Sequence, residues 1–251
     1  MRVLVCVKRV PATAGKITLT ADEQAIDTRY LGFTVSPHEE CAVEEAVRIV
    51  EAHGGTSTVL TLGSEESIDQ LREAMAVGID GAILLETDGS EWDGQATAGA
   101  IVEAIRADES DFDLILFGNE SADASGYQVG VRVAHALGRP VVTGIKGLTV
   151  ADGVARAEKP VAVGREVYEI PLPAVVTVKD GLNIPRYPSV PGRIRAKKKP
   201  IERTAPDKPG PRIEKKRFVQ PESTGKQTEF LDGGADAAAR LVEVFRQIGV
   251  I

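Results

Sequence analysis

The segment Leu114-Ile115-Leu116-Phe117-Gly118-Asn119-Glu120-Ser121-Ala122-Asp123-Ala124-Ser125-Gly126-Tyr127-Gln128-Val129-Gly130 changes character twice. Its apolar start, preceded by Asp111 and Asp113, reads as a buried parallel strand; small and polar residues follow, and an apolar-periodic run from Val129 to Leu137 resumes as a helix. In outline this is a strand-loop-helix phosphate cradle. Gly118, Gly126 and Gly130 permit tight turns and close approach of a ligand, while Ser121, Ser125 and the first free N–H groups of the helix can hydrogen-bond an anion. The glycine spacing matches neither G-x-G-x-x-G nor the Walker pattern, so taken alone such a loop is more often an ordinary strand-to-helix turn.

What precedes the loop gives it a setting. Residues 2–10 are a β-branched run ending in two bases, a first strand of a buried sheet. Lys16 to Thr20 and Ala25 to Asp27 alternate apolar and polar residues around Asp22-Glu23, as a half-exposed hairpin does. Ser36-Pro37-His38-Glu39 combines an N-cap, a proline at the first helical position and a capping-box glutamate, and the apolar face Ala42, Val43, Ala46, Val47, Val50 runs on to His53-Gly54-Gly55. A strand at Thr58–Leu62, a helix over Glu65–Val77, a strand at Ala82–Leu85 and a helix over Ala96–Ala107 then lead back to Leu114. This repeated alternation predicts an α/β fold: a Rossmann-like, mostly parallel sheet with helices on both faces. Ligands of such sheets sit outside the carboxyl ends of the strands, here Cys6 to Arg9, Leu62-Gly63-Ser64, Asp93 to Thr97 and the Gly118 to Gly130 loop.

After Pro140 the pattern becomes strand-like at Val141–Ile145, Gly153–Ala157, Glu166–Ile170 and Ala174–Val178, read as an antiparallel extension of the sheet. From Asn183 onward eight prolines and a basic run replace periodicity, so the segment must be disordered or lie along another surface. An amphipathic final helix (Ala237, Ala238, Leu241, Val242, Val244, Phe245, Ile248) follows the arm and needs a second polypeptide to cover its stripe. The expected division is an α/β domain over 1–182 that holds the candidate phosphate cradle, and a C-terminal extended arm with the final helix over 183–251.

Composition narrows the function classes. Cys6 and Cys41 fall inside a predicted strand and helix, as buried packing residues in a reducing compartment, and neither has ligands at metal spacing, so no metal is expected. No uncharged apolar stretch of about 18 residues occurs, and Met1 leads straight into Val3-Leu4-Val5; the expectation is a soluble, cytoplasmic chain that is not membrane-inserted. Arg193 to Arg217 holds eleven basic and three acidic residues, whereas the whole chain carries −7. No aromatic interleaves those charges, so an arm lying on an acidic partner is favoured over nucleic-acid binding. His38, His53 and His135 have no carboxylate or serine at triad spacing, and no catalytic residue is assigned.

RVLVCVKRVP at the start, PHEECAVEEAVRI, LREAMAVGIDGAILLE, the Gly118 to Gly130 loop, LPAVVTV at 172–178 and LNIPRYPSVPGRIRAKKKPIE at 182–202 together resemble the β subunit of electron transfer flavoproteins over nearly the whole chain. The resemblance implies a heterodimeric electron carrier, not a catalyst in its own right. The α subunit holds the redox-active FAD, and the β chain holds AMP, or a second FAD in the electron-bifurcating type. By motif position it places nucleotide contacts at Cys6, at Ser36, Pro37, His38 and Glu39, at Leu62 and Gly63, and along the loop at Gly118, Asn119, Glu120, Ser121, Asp123, Ser125, Gly126, Gln128, Val129 and Gly130. Ser36 and Glu39 could equally serve the helix cap alone.

The same resemblance marks Tyr187, Pro188, Ser189, Val190, Pro191, Arg193 and Arg195 as the loop that docks acyl-CoA and other dehydrogenases of fatty acid oxidation, with Val190 where leucine is usual. Two further departures stand out. Asp123-Ala124-Ser125 replaces three aspartates and Asn119 replaces a lysine, which shifts expected phosphate contacts to backbone N–H groups and Ser125. Lys159 to Gly164 lacks the acidic residue that normally meets the flavin domain. Two other readings stay open: a bifurcating subunit whose second FAD, lined by Asp93 to Thr97, accepts hydride from NADH, and a stand-alone adenine-nucleotide-binding domain.

Overall fold

The structure, a computed structural model, describes residues 1–12, 17–108, 111–210, 212–213, 215–221 and 230–251. In chain order the elements are β1 (Arg2–Cys6), β2 (Val10–Pro11), β3 (Phe33–Thr34), α1 (Pro37–His53), β4 (Thr56–Gly63), α2 (Ile68–Val77), β5 (Gly81–Glu86), α3 (Gly94–Ala107), β6 (Leu114–Gly118) and α4 (Val129–Leu137). There follow β7 (Val141–Ile145), β8 (Gly147–Ala151), β9 (Val154–Pro160), β10 (Arg165–Pro171), β11 (Ala174–Val178), α5 (Val190–Lys198), β12 (Glu202–Thr204) and α6 (Ala237–Gln247). Seven strands form one parallel sheet in the order β12-β5-β4-β1-β6-β11-β7.

Both faces of the sheet are buried, and the two-residue period of a strand distributes side chains between them. Val3 and Val5 of β1 and Val7 just beyond it, with Leu114 and Leu116 of β6, pack under α1 and α2. Leu4, Cys6, Ile115 and Phe117 point the other way, into the layer made by α3 and α4. The strand order reverses at β1: β4 and β5 lie on one side of it, β6, β11 and β7 on the other. The connections leaving β1 and β6 therefore diverge onto opposite faces and open a crevice at the carboxyl edge.

Three expectations need correction. Residues 2–10 are not one strand: β1 stops at Cys6, because the Lys8 N–H leaves the ladder for the Glu39 carboxylate (2.8 Å), and Val10-Pro11 pairs antiparallel with Phe33-Thr34. The late strands are not one antiparallel extension. β11 is wholly buried and enters the parallel sheet between β6 and β7, while β8, β9 and β10 form a separate antiparallel sheet inserted between β7 and β11. Strand alternation reports burial, not direction, so periodicity could not separate the two groups. The segment after Asn183 also lies on the chain's own domain in part: Ser189 caps a helix, α5, and Glu202–Thr204 adds a strand at the sheet edge beside β5.

The first hairpin survives as a Leu19–Ile26 antiparallel bridge, while its Lys16 lies outside the described residues. α6 forms as predicted, and none of its residues is buried. No described helix is long and apolar enough to cross a membrane.

Candidate functional site

Four segments meet at the crevice. The first is the start of α1. Ser36 Oγ accepts the Glu39 N–H (3.2 Å), Glu39 Oε2 accepts the Ser36 N–H (2.7 Å), and Glu39 Oε1 accepts the Lys8 N–H (2.8 Å). One buried carboxylate thus closes the capping box and pins the chain leaving β1. Burial drives the Glu39 carboxyl up to about 7, against the pull of the Ser36 and Lys8 hydrogen bonds. Pro37 occupies the first turn, where its missing N–H costs no hydrogen bond.

The second segment is the end of β6. A Cβ on Gly118 would lie 2.6 Å from Glu39 Cγ and 3.2 Å from Glu39 N, so only glycine lets this strand approach the helix start so closely. Asn119 Oδ1 accepts the Thr177 hydroxyl (2.8 Å), its Nδ2 donates to Glu120 Oε2, and its backbone N–H extends the pairing to Val178 O (2.8 Å). Asn119 is therefore committed to fixing the loop base. Glu120 Oε1 accepts the Tyr127 hydroxyl (3.1 Å) and lies 3.3 Å from His38 Nε2. The Asp180 N–H donates to His38 Nδ1 (2.8 Å), which leaves the ring proton on Nε2, facing Glu120.

The rest of the loop is open. Residues 122–128 are exposed, and Ser125 and Tyr127 take left-handed φ values of 44° and 54°. The Ser125 N–H folds back to Ser121 O (3.1 Å). Lys8 Nζ reaches across from β1 to Asp123 Oδ2 (2.6 Å). Burial would raise the Asp123 carboxyl, but the Lys8 bond and charge, with Ser121 and the Ala124 N–H, hold it below the usual carboxylate range.

The third segment is the pair of helix starts on the other face. Asp93 caps α3 by accepting the Gln95 and Ala96 N–H groups (2.9 and 2.8 Å), but Gln128 gives α4 no side-chain cap. The Gln128 amide instead accepts from Arg132 (3.2 Å). A Cβ on Gly94 would touch Gln128 and Val129, so the two starts sit side by side, one satisfied and one open. Gly130 passes against Thr177 and Phe117, where a Cβ would lie 2.9 Å from Thr177 Cγ2. An exposed, uncapped N-terminus with a cation nearby favours an anion.

The fourth segment is the neighbouring strand edge. Cys6 pairs with Leu60 and Phe117, and its thiol sits in the apolar layer, where burial and then Glu39 push its pKa up. Buried between two neighbouring strands, the side chain is a packing residue. Gly63 closes β4, its carbonyl accepting the Thr87 N–H (2.9 Å) and its Cα side lying against Ser67. The structure thus gathers the predicted residues of α1, β6 and the loop into one constellation, with Leu62 and Gly63 on the adjoining edge. Lys8, Thr177 and Asp180 join it without having been singled out. Lys8 was covered only by the strand-end stretch Cys6 to Arg9 and Thr177 only as part of a strand and motif, neither as a side chain with a role, and Asp180 carried no signal at all.

The residues marked for docking form a distinct surface. Ser189 Oγ accepts the Gly192 N–H (3.1 Å), Pro191 occupies the first turn, and α5 crosses α2 where a Cβ on Gly192 would lie 2.4 Å from the Ala76 carbonyl. Arg72 binds the carbonyls of Ala196 and Lys199 at the helix end. Tyr187 (96% exposed) and Val190 (71%) stand out from the surface, together with Ile194, which the sequence reading left out. Arg193 and Arg195 are exposed beside them. Among the described residues no His, Cys, Asp and Glu cluster could hold a metal ion.

A doubly wound parallel α/β sheet, a strand-order reversal at β1 and an open loop leading from β6 to the uncapped start of α4 define the class. A family model described as an electron transfer flavoprotein domain matches residues 25–209. The β subunit of electron transfer flavoprotein from Bacillus subtilis is 38% identical over 204 residues, 80% of this chain and 78% of that protein. That from Syntrophomonas wolfei is 34% identical over 97% of this chain and 95% of its own length, and the mitochondrial β subunit of Arabidopsis thaliana 35% over 81% of each. The chain belongs to the electron transfer flavoprotein family, among its β subunits.

Proposed function

We propose that the chain is the β subunit of a heterodimeric electron carrier and holds AMP in the crevice between β1, α1 and the Gly118 to Gly130 loop. The observation that carries this reading is the uncapped start of α4 beside the capped start of α3, with Ser121, Ser125 and the Lys8–Asp123 pair on the loop that leads into it. These groups suit a phosphate, and Glu120 suits a ribose hydroxyl. In this role the nucleotide closes the crevice and stabilises the fold by mass action.

FAD on the α subunit supplies the redox chemistry, and this chain binds, orients and docks. Residues 187–195 meet acyl-CoA and other dehydrogenases, while the arm and α6 lie on the α subunit, in the cytoplasm. Denaturing the purified heterodimer and quantifying released cofactors tests the reading. One FAD and one AMP per heterodimer are expected. Two FAD and no AMP would move a second flavin onto this chain and replace the carrier reading with the bifurcating one.

A further inference from the structure

α1 runs from the crevice to the docking surface, and along its length it holds the segment that leads into α5. The Asp180 N–H donates to His38 at its first turn; Asn183 Nδ2 donates to Cys41 O (3.0 Å) and Glu45 Oε2 (2.9 Å); Arg48 donates to Ile184 O (3.3 Å). The densest attachment comes last. Arg186 gives its backbone N–H and Nε to Glu44 Oε2 (3.1 and 2.9 Å) and Nη2 to Glu44 Oε1 (3.1 Å). One Nη1 N–H and the second Nη2 N–H go to Glu51 Oε1 and Oε2 (2.7 and 3.0 Å). The Glu44 side chain is only 3% exposed and is shared with Arg48 Nε at 2.6 Å.

Residues 184–189 form neither helix nor strand, so no ladder fixes them. The next side chain, Tyr187, is almost wholly exposed, and Val190 follows three residues later. A planar guanidinium forked between two carboxylates, with its own backbone N–H on one of them, sets both position and orientation, which a lysine's point charge cannot do.

We propose that Arg186 is the positioning residue of the docking segment: its fork on Glu44 and Glu51 holds Tyr187 and Val190 outward in the orientation that a partner's apolar pocket receives. This rests on the reading of 187–195 as the docking surface. In this role Arg186 acts through the segment it holds and not as a contact itself. Arg48 remains on Glu44 when Arg186 is removed, so the helix keeps a counter-charge for its buried carboxylate.

The test uses the purified heterodimer as the varied substrate of an acyl-CoA dehydrogenase, with a dye as final acceptor, for the wild type and Arg186→Gln, Arg186→Lys and Val190→Asp. Arg186→Gln is expected to raise KM about tenfold with kcat within about twofold, and Arg186→Lys to fall between it and the wild type. FAD content and direct reduction by dithionite stay unchanged, and amide exchange rises over 184–190 but not over 41–50. An unchanged KM in Arg186→Gln while Val190→Asp raises it overturns the positioning role and leaves docking intact. No change in either variant overturns the docking reading and the proposal with it. Loss of FAD together with a fall in kcat would make Arg186 a general structural residue and equally overturns the proposal.

Discussion

Glu39 accepts the backbone N–H of Lys8, and the ammonium of that same lysine reaches Asp123 on the opposite lip of the crevice. One buried carboxylate therefore governs where the first strand ends and where its cation points.

Its titration should be visible in stability. The Glu39 carboxyl is raised in the fold from 4.5 to about 7, so between these values the folded state binds the proton that the unfolded chain has released. The contribution is fully present below about pH 4.5 and lost as pH rises through 7, roughly 3 kcal/mol in all. Denaturant unfolding at pH 5 and pH 7.5 should show this fall, and Glu39→Gln, which cannot ionise, should flatten it. An equal slope in the variant would assign the pH dependence elsewhere.

Gly118→Ala places a methyl group 2.6 Å from Glu39 Cγ and close to its backbone nitrogen. Overpacking of this kind costs about 1–3 kcal/mol. The expected result is a lower unfolding midpoint together with loss of AMP from the purified heterodimer, whereas Gly99→Ala on α3, away from the loop and with nothing within 4 Å of the new methyl, retains both.

Gly192→Ala drives a methyl into the Ala76 carbonyl where α5 crosses α2. Amide protection over 190–198 should fall while that of α1 and β6 persists. Uniform loss across the domain would instead mean that α5 is integral to the cooperative core.

Val190→Ala removes two methyl groups from a side chain that is 71% exposed in this chain. Stability should not change, while docking loses about 1.5 kcal/mol, a rise in KM of roughly tenfold. An unchanged KM with every dehydrogenase tried would move the anchor to Tyr187 or Ile194.

Leu241→Glu introduces a charge on α6, whose apolar stripe has no cover within the described chain. The variant should fold with an unaltered unfolding midpoint as an isolated chain and fail to co-purify with the α subunit.

Much of the architecture was legible because local signals agreed. Ser36, Pro37 and Glu39 announced α1, and the alternation of apolar runs with helical periods announced the parallel sheet. The partition of the late strands was hidden, since Val141–Ile145 and Ala174–Val178 look like Gly153–Ala157 until their second face is seen to be covered. α5 was hidden because Arg, Lys and Gly dominate it; it is held by a glycine-width crossing over α2, a contact between distant residues that no periodicity encodes. The crevice was found through Gly118 and the capping box, but Lys8, Thr177 and Asp180 reach it across strands or loops, and such partners surface only when the chain is folded.

The order in which the sheet is completed has a consequence for biosynthesis. β11 inserts between β6 and β7, and β12 covers the outer edge of β5, yet both are made late. While residues up to about 170 emerge, two positions in a buried parallel sheet stand vacant and the apolar edge of β5 is a bare hydrogen-bonding template. The charged strand Glu202–Thr204 then caps that edge with Arg203 paired to Glu65 and Glu86. A nascent chain halted before this point is the species most prone to aggregate and to need a chaperone, and truncations ending before residue 205 should collect in inclusion bodies.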